Sequence, residues 1–351
     1  MRQVTLGRHG PQVSEICLGT MTFGNETPQD VAFSQMDRAL DAGISFFDTA
    51  EMYPVNPVSD QTAGITEQII GRWLARRGAR NRVQIATKVT GPGSSVRQGK
   101  GYGPDNLRAM VEASLRRLGV DCIDLYQLHW PLRGSYHFRQ MWNYNPSKQD
   151  KAANLDHIDA MLAVLADLRA EGKLRAFGLS NDSAWGVTQW ATRSEAGQGP
   201  RVVSVQNEYS LLYRAHDTDM AEACVNEDVT LLAYSPLAAG LLTGKYQDGV
   251  PDPSRAATDL AQGGKGSLGG RRTDRALAAV AALQAVARDH GLDLLTLALG
   301  FLRHRPFPIV PIIGATTDAQ LAAQIAAWQT DLPPEAVRAA NAVWRSHPFP
   351  Y

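Results

Sequence analysis

The stretch Val31–Asp48 reads VAFSQMDRALDAGISFFD and contains two different periodicities back to back. Val31–Ala42 is amphipathic at helical spacing and stops at Ala42-Gly43, and Ser45–Asp48 is then a short apolar run that predicts a strand. The same alternation continues outward in both directions. Short runs rich in β-branched and aromatic residues fall at Ile16–Gly19, Val83–Lys88, Leu125–His129, Ala176–Ser180, Val202–Gln206, Val229–Tyr234 and Pro308–Ile313. Amphipathic stretches lie between them, among them Thr66–Arg77, Asp105–Leu118, Leu155–Glu171, Asp219–Glu227 and Thr273–His290. Strand followed by helix, eight times over, predicts a parallel sheet with helical crossovers. Eight units in one chain fit a (β/α)8 TIM barrel better than a doubly wound sheet, and the first strand is not followed by Gly-x-Gly-x-x-Gly.

We read residues 1–351 as one α/β barrel domain. Val4–Val13, with His9-Gly10-Pro11, predicts a small β-hairpin before the barrel. Residues 131–154, which are polar and aromatic-rich, and residues 246–272, rich in Gly, Pro and Arg, interrupt the alternation as long loops. Both follow barrel strands, so they are expected on the C-terminal face, where loops of this length are usually functional.

Composition narrows the function. Thirty-five basic residues against 35 acidic ones give a net charge of zero, which offers no electrostatic reason to expect nucleic acid or an anionic membrane as partner. A hydrophobic fraction of 44% suits a globular chain with a sizeable core. Cys17, Cys122 and Cys224 are far apart and read as small core residues, so neither a disulfide scaffold nor a thiolate zinc site is expected. The polar N-terminus lacks a signal-peptide apolar region. The longest uncharged stretch, Val229–Gly244, falls short of the ~18 residues of a membrane span. A soluble, cytoplasmic protein without a metal is the expectation; the oligomeric state is not legible.

Polar residues at predicted strand ends carry the chemistry. They are Asp48, with Tyr53 just beyond it, then Lys88 and His129. Singly, Asp48 reads as a cap or turn former, Lys88 as solvated, His129 as a structural residue and Tyr53 as a rim aromatic. Together they make a phenol as proton donor, an ammonium to lower its pKa, a carboxylate to hold the ammonium and an imidazole to orient a carbonyl.

On those residues the chain resembles the aldo-keto reductase superfamily. The likeness extends through Leu18–Gly24 and Ala42–Tyr53, and the insertion Pro54–Ile65 is most similar to the bacterial Tas-type and potassium-channel β-subunit-like branches. The resemblance implies NADPH-dependent, reversible reduction of aldehydes or ketones by a cytoplasmic oxidoreductase, with Tyr53, Asp48, Lys88 and His129 catalytic. A slowly turning NADPH-binding sensor or regulatory subunit is the alternative.

It further implies cofactor contacts from Gly19, Thr20 and Met21, and a carboxamide site from Ser180, Asn181 and Gln206. Tyr234 can stack on a flat ring, and Ser235, Pro236, Leu237, Gly240, Leu242 and Gly244 match the pyrophosphate segment. Leu237–Leu242 alone reads equally as a buried apolar turn. Lys245 and Arg255 match phosphate-holding positions. Gly314, Thr316, Gln320 and Gln324 match the adenosine end, although Ala323 stands where relatives often carry an acidic adenine contact. Trp130, Trp142 and Tyr144 are expected to meet the substrate.

Two motifs mislead. Tyr144-Asn145-Pro146-Ser147-Lys148 has the Tyr-x-x-x-Lys spacing of a helical catalytic pair, yet Pro146 predicts a loop. Gly263–Ser267 is glycine-rich without the spacing of a phosphate loop.

Overall fold

A computed structural model describes residues 1–351. The strands are β1 (Gln3–Thr5), β2 (Gln12–Ser14), β3 (Cys17–Gly19), β4 (Phe46–Asp48), β5 (Gln84–Val89), β6 (Ile123–Leu128), β7 (Leu174–Ser180), β8 (Val202–Glu208), β9 (Thr230–Tyr234) and β10 (Ile309–Ile313). β1 and β2 form an antiparallel hairpin, and β3 to β10 close into a barrel in chain order, each strand parallel to its neighbours. Helices α1 (Gln29–Asp41), α2 (Ile65–Arg77), α3 (Pro104–Leu118), α4 (Lys151–Ala170), α5 (Ala184–Arg193) and α6 (Asp219–Asn226) occupy the first six crossovers. The last crossover holds α7 (Arg255–Ala261), α8 (Asp274–Asp289) and α9 (Leu294–Arg303). α10 (Asp318–Gln329) and α11 (Pro334–Ser346) close the chain.

Alternation along each strand divides the core in two. Outward residues such as Phe47, Ile85, Tyr126 and Leu128 pack under the helices in a cluster of 72 buried side chains, which carries most of the burial. The interior holds a cluster of 11, including Cys17, Phe46, Ala86, Leu125 and Leu232, closed from below by Leu6 and Val13 of the hairpin. Ser14 fixes that plug by accepting the backbone N–H groups of Ser45 and Phe46. The bulk of the apolar core therefore lies outside the barrel, and the upper interior is free to be polar.

Between β7 and β8 the register shifts, because Phe177 faces Val202 while Leu179 faces Val205. β8 thus carries one extra residue, which reverses the side-chain alternation beyond it. Val203 packs inward, Val205 packs outward, and Gln206 returns to the interior.

Three expectations need adjustment. Cys17 and Cys224 are buried core residues, but Cys122 is only half-buried, because it follows α3 where the chain turns into β6. The first long loop ends at Asp150, whose side chain caps α4 four residues earlier than expected. The second contains α7, capped by Ser254. Residues 144–148 are irregular, so Tyr144 and Lys148 do not share a helix face. No helix is long and apolar enough to cross a membrane.

Candidate active site

At the upper end of the barrel, two residues above the apolar interior layer, Asp48, Lys88 and Gln127 point inward from β4, β5 and β6. Their positions follow from the alternation, since Phe46, Ala86 and Leu125 precede them by two residues each. The Lys88 ammonium has no solvent exposure. Burying such a charge is costly unless it is paired and hydrogen-bonded. Lys88 Nζ donates to Asp48 Oδ2 at 2.7 Å and to the Thr49 carbonyl at 2.8 Å, and lies 3.4 Å from the Tyr53 hydroxyl. Asp48 Oδ1 in turn accepts the side-chain amides of Gln127 at 3.0 Å and Gln206 at 2.8 Å. Gln127 was not singled out from the sequence. Its strand position, matched to Lys88 in register, is the signal that could have found it.

The turn after β4 delivers Tyr53. Thr20 donates its backbone N–H and its hydroxyl to the Asp48 carbonyl, and Glu51 donates its backbone N–H to the Lys88 carbonyl. The buried Glu51 carboxylate accepts Thr90 N–H at 2.9 Å and pairs with Arg97. The Tyr53 N–H donates to the Ala50 carbonyl. Its ring meets His129 edge-on with centroids 6.0 Å apart, and Lys88 Nζ lies 4.9 Å from its centre. The four residues expected to act together are therefore brought together.

Burial and charge fix their protonation. His129 is held well below the ordinary histidine range by burial, with the Lys88 charge adding to it, so the ring is neutral. Burial also opposes the Lys88 charge, but Asp48 and Tyr53 outweigh it and the ammonium is held above its usual value. The direction at Tyr53 differs from the expectation. Burial raises the phenol, the Lys88 charge opposes this, and the net result is upward. A sequence shows the cation beside the phenol but not how thoroughly both are removed from water.

The carboxamide candidates share one network. Asn181, held at φ 52°, donates to the His129 carbonyl at 2.9 Å and to Ser180 Oγ at 3.1 Å, and accepts from the Tyr234 hydroxyl at 2.9 Å. Ser180 donates to the Gln206 carbonyl. Beyond Tyr234 the backbone is left-handed at Ser235, Ala238, Ala239, Gly240 and Gly244, in a tight turn that includes Pro236, Leu237 and Leu242. Strained backbone of this kind clusters where chains approach ligands, and successive left-handed turns make concavities of N–H groups. On the adjoining strands β10 and β3, a Cβ on Gly19 would sit 2.7 Å from the Ile312 side chain, and one on Gly314 would sit 3.3 Å from the Gly19 carbonyl, so a side chain at either strand end would crowd its neighbour. The Met21 carbonyl, next to Thr20, receives Val55 N–H.

Gln324 donates to the Gly314 carbonyl while its Oε1 is buried without a partner, and Thr316 is tied to Gln320. The Thr317 side chain caps α10 at Gln320 N–H. Arg255 makes no ion pair or side-chain hydrogen bond, and burial lowers its pKa against the weaker pull of Glu26. Lys245 is also unpaired, with Nζ 5.1 Å from the Tyr246 ring centre.

The three expected substrate residues separate. Trp130 packs beside His129 at 5.1 Å between ring centres. Tyr144 stays within the loop, accepting from Gln149 and packing on Tyr136. Trp142 is 71% exposed and makes no ring contact. Phe138, which sequence reading left unassigned, packs edge-on against Trp130 at 5.7 Å.

A closed eight-stranded parallel barrel, with a buried carboxylate–ammonium–phenol chain and a neutral imidazole at its mouth, defines a class of barrel oxidoreductases. The chain belongs to the aldo/keto reductase family, whose family model matches residues 15–345. It is similar to Protein tas of Escherichia coli, with 39% identity over 345 residues that cover 97% of this chain and 96% of the relative. YrpG, an oxidoreductase of Bacillus subtilis, is 32% identical over 98% of this chain and 96% of its own. Norsolorinic acid reductase stcV of Emericella nidulans is 28% identical over 93% and 77%.

Proposed function

We propose that the protein reversibly reduces aldehydes or ketones to alcohols in the cytoplasm, using NADPH. The observation that carries the reading is the fully buried Lys88 ammonium joining Asp48 to the Tyr53 hydroxyl. Tyr53 gives its proton to the carbonyl oxygen. The phenolate left behind is stabilised by Lys88, whose orientation Asp48 fixes while Gln127 and Gln206 hold Asp48. His129, kept neutral, donates an N–H to the same carbonyl oxygen without competing as an acid.

When bound, NADPH supplies the hydride. Ser180, Asn181 and Gln206 would hold its carboxamide, Tyr234 its ring, and the left-handed turn Ser235–Gly244 its pyrophosphate. Gly19, Thr20 and Met21 would border it from the first barrel strand. The unpaired Lys245 and Arg255 suit the phosphate that distinguishes NADPH from NADH, and Gly314, Thr316, Gln320 and Gln324 would bracket the adenosine. The orphaned Gln324 Oε1 and partnerless Arg255 support this assignment. Three unpaired cysteines suit a reducing compartment. The substrate is a small carbonyl compound, met first by Trp130; the relatives named as oxidoreductase and norsolorinic acid reductase support reductive chemistry.

The test is NADPH oxidation against a panel of aldehydes and ketones. Sustained steady-state turnover is expected; a single turnover per bound cofactor would replace the enzyme reading with that of a redox sensor.

A further inference from the structure

The loop between β6 and α4 carries a cation that the proposed reduction does not use. Ser135 Oγ donates to the Asn181 carbonyl at 2.8 Å, and the His137 ring bonds the Asp182 carbonyl at 2.9 Å, so this part of the loop is pinned to the end of β7 beside the site. Phe138 and Arg139 follow, both non-glycine residues in the left-handed region, with φ 56° and 63°. Consecutive left-handed residues are costly and persist where surrounding contacts impose them. Here the phenyl ring meets Trp130, which itself packs on His129, while the neighbouring guanidinium reaches Gly269 and Gly270 of the second long loop and the end of β8 at Glu208. A Cβ on Gly269 would lie 3.1 Å from Arg139 Nη2, so the glycine there lets the side chain pass.

At its far end Arg139 finds a carboxylate that is already satisfied. Glu208, the last residue of β8, receives Arg271 in a two-pronged pair at 2.7 and 2.9 Å, and the Tyr351 hydroxyl at 3.3 Å. Arg139 Nη1 remains 3.7 Å away and makes no hydrogen bond. Two guanidinium groups thus face one buried carboxylate, leaving a surplus positive charge. Arg271 is buried by this pairing, whereas the Arg139 side chain keeps 27% exposure and is open to an incoming group.

We infer that Arg139 reads an anionic group on the substrate, so that the preferred substrates are carbonyl compounds bearing a carboxylate or similar anion, with Phe138 and Trp130 walling the apolar part between. An Arg fork suits a carboxylate bidentately, and a partly desolvated charge discriminates more strongly than one in bulk water. The inference rests on the carbonyl-reductase reading, so its test includes binding without turnover.

Two acids of different reach, 4-carboxybenzaldehyde and 3-(4-formylphenyl)propionate, are compared with their methyl esters. In the wild-type protein kcat/KM should favour at least one acid over its ester. Arg139→Met should reduce that ratio by roughly ten- to a hundredfold, the range of a charge-assisted hydrogen bond, and Arg139→Lys should restore part of it. Terephthalate, which has no aldehyde, is titrated calorimetrically against the NADPH-loaded protein and should bind more weakly to Arg139→Met. A wild-type preference for both esters, or a ratio that Arg139→Met leaves unchanged, overturns the inference. Weakened NADPH binding by Arg139→Met, with the acid-to-ester ratio intact, overturns it too by assigning the arginine to the cofactor. If neither aldehyde nor ester is reduced while terephthalate binding still depends on Arg139, the anion site stands and the reductase reading fails.

Discussion

Tyr53 is held above its ordinary pKa by burial, with the Lys88 charge opposing the rise, and in the proposed reduction that charge would ease the transfer of its proton. Tyr53→Phe keeps the ring against His129 and removes only the donor. Carbonyl reduction should fall by roughly 10²–10⁴-fold, the usual worth of general acid catalysis, while NADPH binding followed by fluorescence quenching stays close to wild type. Near-normal turnover would remove Tyr53 from the role of acid. Arg255, mostly buried and unpaired, makes the complementary prediction for cofactor choice. Arg255→Ala should raise the Kd for NADPH by about ten- to a hundredfold and leave that for NADH nearly unaltered, because a charge-assisted hydrogen bond contributes roughly 1.5–3 kcal/mol. Equal losses for both would make Arg255 a support of its loop. The four residues now gathered at the mouth were legible because an ionisable side chain ending an apolar strand has few tolerable positions except that mouth. Gln127 and Arg139 were not, since an amide inside a strand and an arginine in a polar loop look like ordinary residues until their partners are seen. The direction of the Tyr53 shift was missed for a related reason: proximity can be guessed from a pattern, and desolvation cannot.

Element by element, the strands lie where alternation predicts, within one or two residues, because each is bounded by a helix stop or a polar strand end. The extra residue in β8 is a different matter. It was invisible in Val202–Gln206, which reads as one short strand with no sign of an inserted residue, yet it turns Gln206 toward Asp48. Trp130, Trp142 and Tyr144 were expected to meet the substrate together, whereas only Trp130 packs on His129, with Phe138 of the aromatic loop against it, and Trp142 stands in solvent. The loop's composition gave no means of separating these, since loop direction depends on pins such as Ser135 and His137. Shortening residues 136–148 removes Phe138 and Arg139 together with Trp142 and Tyr144. Selectivity across a panel of carbonyl substrates should therefore change much more than the Kd for NADPH. Trp142→Ala, which deletes only the exposed ring, should shift that profile far less. A profile unmoved by the shortening would return the loop to a packing role.

Across the whole molecule the barrel was readable from repetition, but its response to acid depends on burial that only the folded chain reveals. His129, His137, His157 and His216 are all held below the ordinary histidine range, in each case chiefly by burial. They belong to the mouth, the first long loop, α4 and the turn before α6, so the effect is distributed over the fold. His216 is the sharpest case. It packs between Tyr209 and Phe307, both ring nitrogens are buried without a partner, and its pKa is lowered to about 4. An unfolded chain binds protons at these rings as the pH falls through about 6.5, while the folded chain resists until the depressed value is reached. The unfolded state then holds more protons, so stability falls with falling pH between about 6.5 and the folded pKa. From about 6.5 to about 4, His216 alone accounts for about 3 kcal/mol at the rate of roughly 1.4 kcal/mol per pKa unit. The urea midpoint should therefore drop steadily between pH 7 and pH 4.5. His216→Phe, which keeps an aromatic ring in the same packing, should flatten part of that slope while leaving the neutral-pH midpoint little lowered. Equal slopes for the two proteins would mean that His216 already takes up its proton in the folded state, at the ordinary histidine pKa.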